Sequence, residues 1–226
     1  MASEWRVGVV DSGFAPHQAN RVLAARRFQL DDESLSDGDA MPDRLGHGSA
    51  VLDALAGAAP LARFCVAQVF GERGQTSPLQ IAAALHWLIE QRVALINLSL
   101  GLRSDRPVLR EACAAAREAG ILLCASSPAQ GAAVFPASYP GVIRITGDAR
   151  CTPGQWSWLD SAQADFGAHV AAGNGVAGAS IACAALSGLI VDFLCHEPGA
   201  DQETVLAWLR DGAAFVGPER RGLRDE

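Results

Sequence analysis

Short apolar runs alternate with longer stretches of helical periodicity along most of the chain. Residues 6–10, 62–69, 93–100, 121–125 and 142–146 are dominated by Val, Ile, Leu, Ala, Cys and Phe and end in polar or glycine-bearing turns, the pattern of strands buried on both faces. Residues 49–58, 79–91 and 107–119 repeat apolar side chains every three or four positions and read as helices. In the second of these Ile81, Leu85, Leu88 and Ile89 share one face; the third is closed by Gly120. Residues 180–194 are apolar or small on every side, which predicts a helix lying deep in the core, and residues 202–213 carry Val205, Trp208 and Leu209 on a terminal helix. The acidic stretch 31–43 and residues 70–76 and 126–133 are expected to be loops. Residues 148–165 read as irregular, 170–172 as a short extended piece, and the chain from Gly217 as a frayed polar tail. This alternation implies an α/β fold, a mostly parallel sheet with helices on both faces, in a single domain over residues 1–226.

Composition narrows the function classes. The chain has 226 residues, 50% of them apolar and 19% charged, with a net charge of -7. No basic stripe is present, which argues against nucleic acid as a partner. The apolar, small-residue run 176–191 is short for a bilayer and stops at Asp192, so no membrane association is expected. Six cysteines, at 65, 113, 124, 151, 183 and 195, include no C-x-x-C pair and several lie in apolar runs; they read as reduced thiols of a cytoplasmic protein. The first strand begins within a few residues of Met1, so neither a signal peptide nor a pro-segment is expected. No ligand spacing typical of a metal stands out, and no metal or cofactor is expected.

Three polar residues interrupt this pattern where chemistry could sit. Asp11 ends the first strand in the turn Asp11-Ser12-Gly13; it reads as a turn residue or as a carboxylate at the carboxyl end of a parallel strand. His47 lies between Gly46 and Gly48 at a helix start, as a polar cap or as a general base. Ser180 follows a glycine-rich turn and opens the apolar helix. It fits an N-cap, or a nucleophile whose backbone N–H points out of a helix terminus. The preceding Gly173-x-Gly175-x-x-Gly178 also matches a dinucleotide loop, but the acid-terminated second strand of that motif is missing.

Asp11, His47 and Ser180 stand in the order Asp…His…Ser. Around them VVDSG resembles the aspartate motif, GHGSAV the histidine motif and GASIACAALSG the serine motif of the subtilisin-like serine peptidases. INLSLG is similar to that family's substrate-binding strand and FPASYPGVI to the stretch beside its specificity pocket, so the resemblance runs from about Val7 to Leu194. It implies a subtilisin-like three-layer domain and a serine endopeptidase. In that reading Ser180 attacks the scissile carbonyl, His47 moves its proton, and Asp11 orients the imidazole. The resemblance also implies that Ser99, Leu100 and Gly101 pair with substrate backbone on one side and the edge near Gly74 on the other. A cis peptide between Phe135 and Pro136 is implied as well.

Departures from the family pattern refine these expectations. The family's Asn donor to the oxyanion is missing from the segment Ala125-Ser126-Ser127-Pro128-Ala129-Gln130-Gly131, which leaves the Ser180 N–H with Ser126, Ser127 or Gln130 as candidate donors. Val134 and Ala137 replace glycines of the pocket wall and predict a small residue before the cut. The expected role is a narrow-specificity processing peptidase that removes the leader from a modified protein or peptide, in company with the enzymes that modify that substrate. A different class stays open: a pseudo-peptidase that binds or escorts peptides, for which the missing Asn is the support.

Overall fold

The computed structural model describes residues 5–31, 34–71, 74–171 and 177–219. Along the chain these form β1 (Arg6–Asp11), a 3-10 turn (Pro16–Arg21), β2 (Val22–Asp31), β3 (Ser34–Asp39), α1 (His47–Ala58), β4 (Arg63–Gln68), α2 (Pro78–Glu90), β5 (Leu95–Leu98), α3 (Pro107–Glu118), β6 (Leu122–Ser126), β7 (Val142–Gly147), β8 (Trp156–Trp158), β9 (Phe166–Ala168), α4 (Ala179–His196), α5 (Gln202–Asp211) and β10 (Phe215–Val216). The strands make one sheet in the order β10-β8-β9-β7-β6-β5-β1-β4-β2-β3. Its centre is parallel, as the alternating pattern requires; β2 with β3 and β8 with β9 are antiparallel.

Side chains alternate across the central strands and feed two cores. Val7, Val9, Phe64 and Val66 point toward α1, α4 and α5, whereas Val10, Cys65, Ile96 and Leu123 point toward α2 and α3. The result is a three-layer α/β domain. β1 lies between β5 and β4; the connection from β1 leads to β2 on one side and that from β5 to β6 on the other, so the carboxyl ends of β1 and β5 flank the switch point where such sheets open a crevice.

Two stretches differ from the pattern-based reading. Residues 34–39, expected within a loop, form β3, and residues 156–158, expected to be irregular, form β8. All six residues of β3 are exposed, so it has no apolar alternation to betray it; pairing with β2 and an Arg26–Asp37 ion pair at 2.8 Å accompany it instead. The tail is also anchored further than expected. Gly217 N–H donates to Trp158 O at 2.8 Å, and Arg150 donates to Gly217 O at 2.8 Å while its guanidinium lies over the Phe215 ring. Residues 220–226 lie outside the described residues. The Phe135–Pro136 peptide is cis.

Helix α4 is long and apolar enough to cross a bilayer by composition, with 18 residues at a mean hydropathy of 1.7, but here it is a core helix packed on α1 and the sheet. Its small residues permit that depth. A Cβ on Gly188 would lie 2.6 Å from Ala58 Cβ and 2.8 Å from Leu55 O. Gly188→Ala therefore sets a propensity gain of about 1 kcal/mol against overpacking of ~1–3 kcal/mol. We expect net destabilisation, read as a lower urea midpoint; an unchanged or raised midpoint would show that α1 yields freely.

Candidate active site

The parallel register sets the site. Val10 pairs with Leu98, so the next residues, Asp11 and Ser99, leave β1 and β5 side by side at the carboxyl edge of the sheet. The Asp11 side chain is fully buried. Its Oδ1 accepts from Ser12 N–H at 2.7 Å and lies 2.8 Å from His47 Nδ1, which makes Nδ1 the protonated nitrogen whenever Asp11 is ionised. Among the described residues its Oδ2 has no hydrogen-bond partner.

His47 is the first residue of α1, and Gly46 caps the helix with φ 71° in the left-handed region. Close backbone contact brings the two motifs together: a Cβ on Gly48 would collide with the Gly13 backbone. Ser12 Oγ accepts from Gly48 N–H at 2.8 Å and donates to Asp43 at 2.9 Å.

By sequence Asp43 belongs to the acidic stretch 31–43, yet in the structure it organises this corner. Its Oδ1 also accepts from Leu45 and Gly46 N–H at 3.0 and 2.9 Å, and its Oδ2 accepts from Ser49 N–H and Oγ at 2.8 and 2.7 Å. Burial pushes the Asp43 carboxyl up, but the Ser49, Ser12 and Gly46 donors outweigh it and hold it below the usual carboxylate range. The available signal was position: Asp43 stands four residues before His47 and six before Ser49.

For His47, the Asp11 hydrogen bond raises the pKa most. Burial opposes it, and the charges of Asp11 and Asp43 add to the rise. The pair of Asp11 with protonated His47 therefore stabilises the fold fully below the unfolded imidazole's pKa, and that contribution fades as pH rises through the higher folded value.

Ser180 is the second residue of α4. The sequence left an N-cap role open, but the cap is Gly178, at φ 122° and ψ -167°, so the hydroxyl is not spent on capping. The Ser180 N–H belongs to the first helical turn, whose donors have no intrahelical acceptor. Ser180 Oγ donates to Ser99 O at a long 3.4 Å, and among the described residues no hydrogen bond joins it to His47. Gly173 and Gly175 of the preceding turn lie outside the described residues.

Behind Ser180 runs a buried polar relay that sequence reasoning missed. Ser187 Oγ donates to Asn97 Oδ1 at 3.1 Å, Asn97 Nδ2 to Ser99 Oγ at 2.9 Å, and Ser99 Oγ to Ser180 O at 3.2 Å. Asn97 and Ser187 have no solvent exposure, so these bonds fix the start of α4 against the end of β5. An Asn in an apolar strand and a second serine seven residues after Ser180 were the legible cues.

The candidate oxyanion and substrate residues separate in the structure. Both donors of Ser127 are engaged, N–H to Ile145 O at 2.8 Å and Oγ to Gln163 O at 2.6 Å, which removes it as a donor; Pro128 has none to offer. Ser126 ends β6 and Gln130 is exposed. Leu100 and Gly101 make no backbone hydrogen bond to described residues, which leaves them open to an added strand. Gly74 sits in an exposed turn at φ 66°. Val134 packs against Gly101, whose Cβ would lie 3.2 Å away. Ala137 is fully buried in the core cluster that holds Leu100 and Tyr139, and it is also one of the residues that wall a second cavity with Tyr139 and Val142. Among the described residues no three His, Cys, Asp or Glu side chains converge on a metal position.

Residues 3–215 match the model of the subtilase family, and the chain belongs to that family. It is 30% identical over 151 residues to the thermostable alkaline protease of Halalkalibacterium halodurans, covering 62% of this chain and 40% of that protein. It is also 30% identical over 160 residues to the major intracellular serine protease of Bacillus subtilis, covering 62% and 50%. The chain thus spans half or less of the length of these relatives. Among solved structures, a psychrophilic protease named S41 superposes with a TM-score of 0.74 at 20% identity over 93% of this chain and 83% of that one. A lanthipeptide protease superposes at 0.70 with 14% identity, covering 95% and 81%. The epidermin leader peptide processing serine protease of Staphylococcus aureus superposes at 0.73 with 17% identity, covering 91% and 68%. These superpositions agree on the fold.

The geometry fixes the order of electrostatic effects on His47. By NMR titration of the imidazole, Asp11→Asn is expected to lower its pKa most and Asp43→Asn to lower it less. A His47 titration unmoved by both substitutions would refute the assigned contacts.

Proposed function

We propose that this protein is a serine endopeptidase in which Ser180 is the nucleophile, His47 the general base and then acid, and Asp11 the group that holds the imidazole. The observation that carries this reading is the 2.8 Å Asp11–His47 contact at the strand ends where the α4 N-terminus delivers Ser180. Ser180 Oγ gives its proton to His47 as it attacks the scissile carbonyl, and the resulting imidazolium is stabilised by Asp11. His47 then protonates the leaving amine, and water repeats the sequence on the acyl-enzyme. The Ser180 N–H and the α4 terminus meet the oxyanion, with Ser126 or Gln130 completing the hole once peptide is bound. The substrate backbone lies against Leu100 and Gly101 on one side and the Gly74 turn on the other.

The substrate is a polypeptide bearing a leader segment, and the reaction removes that leader. Support comes from the fold shared with a lanthipeptide protease and with the epidermin leader peptide processing protease, together with the narrowing by Val134 beside Gly101. A crosslinked protein such as the small subunit of quinohemoprotein amine dehydrogenase is a substrate of this kind, processed alongside the enzymes that modify it. A cytoplasmic location fits the six free cysteines, five of them buried, with burial pushing the Cys113 and Cys124 thiols up to about 12. A second reading, a peptide-binding pseudo-peptidase, is favoured by the engaged donors of Ser127 and the Ser180 hydroxyl turned to Ser99.

The two readings part on one experiment. Intact-mass analysis after exposure to a fluorophosphonate should give a single adduct on the wild type and none on Ser180→Ala. No adduct, with or without a leader peptide, would select the pseudo-peptidase. Because His47 must be neutral to act, labelling should rise with pH through a midpoint above the ordinary imidazole value. In a panel of peptides differing at the residue before the cut, Gly, Ala and Ser should be cleaved faster than Phe or Leu. The reverse ranking would refute the narrow pocket.

A further inference from the structure

A cavity of about 690 Å³ is walled in part by Ser12, the residue after Asp11, and by Leu45, Arg27 and Thr76. Two of these, Ser12 and Leu45, flank the motif residues; Thr76 belongs to the segment that follows the Gly74 turn. The cavity therefore opens between the strand ends and one margin of the peptide cleft.

Its polar lining is mostly committed to the fold. Gln68 on β4 donates to Ser12 O and Met41 O and accepts from Met41 N–H. Gln80 on α2 donates to Phe28 O and Val69 O and accepts from Ser77 N–H. Arg27 differs. It pairs with Gln68 in the ladder, yet its guanidinium makes no hydrogen bond or ion pair with the described residues, and its Nε is buried. Thr76 Oγ1 is likewise buried without a partner among the described residues. Arg44 and the exposed Asp31 also line the cavity.

A buried donor left without an acceptor is costly, and a guanidinium pairs best with a planar carboxylate held by two parallel N–H bonds. We propose that this cavity is a specificity pocket that takes an acidic side chain of the substrate, on the acyl side of the cut, with Arg27 as its ion-pair partner and Thr76 as a second donor. The pocket rests on the peptide-cleft reading above and adds the class of side chain the cleft selects. Water alone in the cavity would satisfy the same donors but would confer no charge preference.

The test uses binding, so it does not depend on turnover. Fluorescein-labelled alanine-based peptides carrying Glu, Gln or Lys at the second, third or fourth residue before an Ala–Ser bond are titrated into Ser180→Ala, with anisotropy as the readout. At one of these positions Glu should bind about tenfold tighter than Gln, and Lys weakest, as expected for a charged hydrogen bond that is partly desolvated. The Glu-to-Gln ratio should fall to about one when Arg27→Gln is added and recover in part with Arg27→Lys. That ratio is insensitive to the folded fraction of a variant. Equal binding of Glu and Gln peptides at every position, or a Glu preference that survives Arg27→Gln, overturns the pocket while leaving the cleft in place. If no peptide of any charge binds, the cleft and the pocket fall together.

Discussion

The Asp11 carboxylate is buried completely, and a buried charge is tolerated only where other groups answer it. Here a single oxygen carries the burden, taking Ser12 N–H and the His47 imidazole, while the other oxygen has no partner among the described residues. His47 must therefore be held within hydrogen-bond range by something stiffer than its own side chain. That stiffness comes from glycine contact between the Gly13 and Gly48 backbones and from the five hydrogen bonds gathered by Asp43. The first carboxylate orients the ring; the second builds the corner from which the ring projects.

Ser180 is held by different means. No side-chain bond ties it to His47, and its hydroxyl has only a long contact with Ser99. Its backbone, by contrast, is fixed through Ser99, Asn97 and Ser187, a relay that begins two turns inside α4 and ends at the helix start. The helix is thus locked in position while its second side chain keeps rotamer freedom. That division suits a nucleophile, whose backbone N–H must be preset for an oxyanion but whose hydroxyl must reorient when a substrate arrives.

Much of this was legible in the sequence because burial leaves a pattern. The five central strands are apolar on both faces and four of the helices carry an apolar face, so period alone located them within a few residues. Asp11, His47 and Ser180 stood out as polar groups at the ends of those elements. What stayed hidden had no burial signal. β3 is exposed throughout, and β8 is too short for a period to register. Asp43 looked like one more acid in an acidic stretch, and Asn97 like a polar defect in a strand. Their roles depend on backbone groups brought near only by folding. The engagement of both Ser127 donors was hidden for the same reason, since Ile145 and Gln163 are distant in the chain.

The two margins of the sheet bear on how such a protein treats chains other than its own substrate. A sheet edge is an invitation to any extended polypeptide, including another copy of the same protein. At one margin stands β3, with Asp37 and Asp39 on a fully exposed strand; at the other, β10 offers two residues before the chain is clasped at Gly217. Neither is an attractive template for strand addition. The unclaimed backbone of Leu100 and Gly101 lies well inside these margins, past the end of β5 and within reach of Ser180. Passing chains are thus discouraged at the margins, where docking would lead only to aggregation, and the backbone left open lies at the proposed cleft.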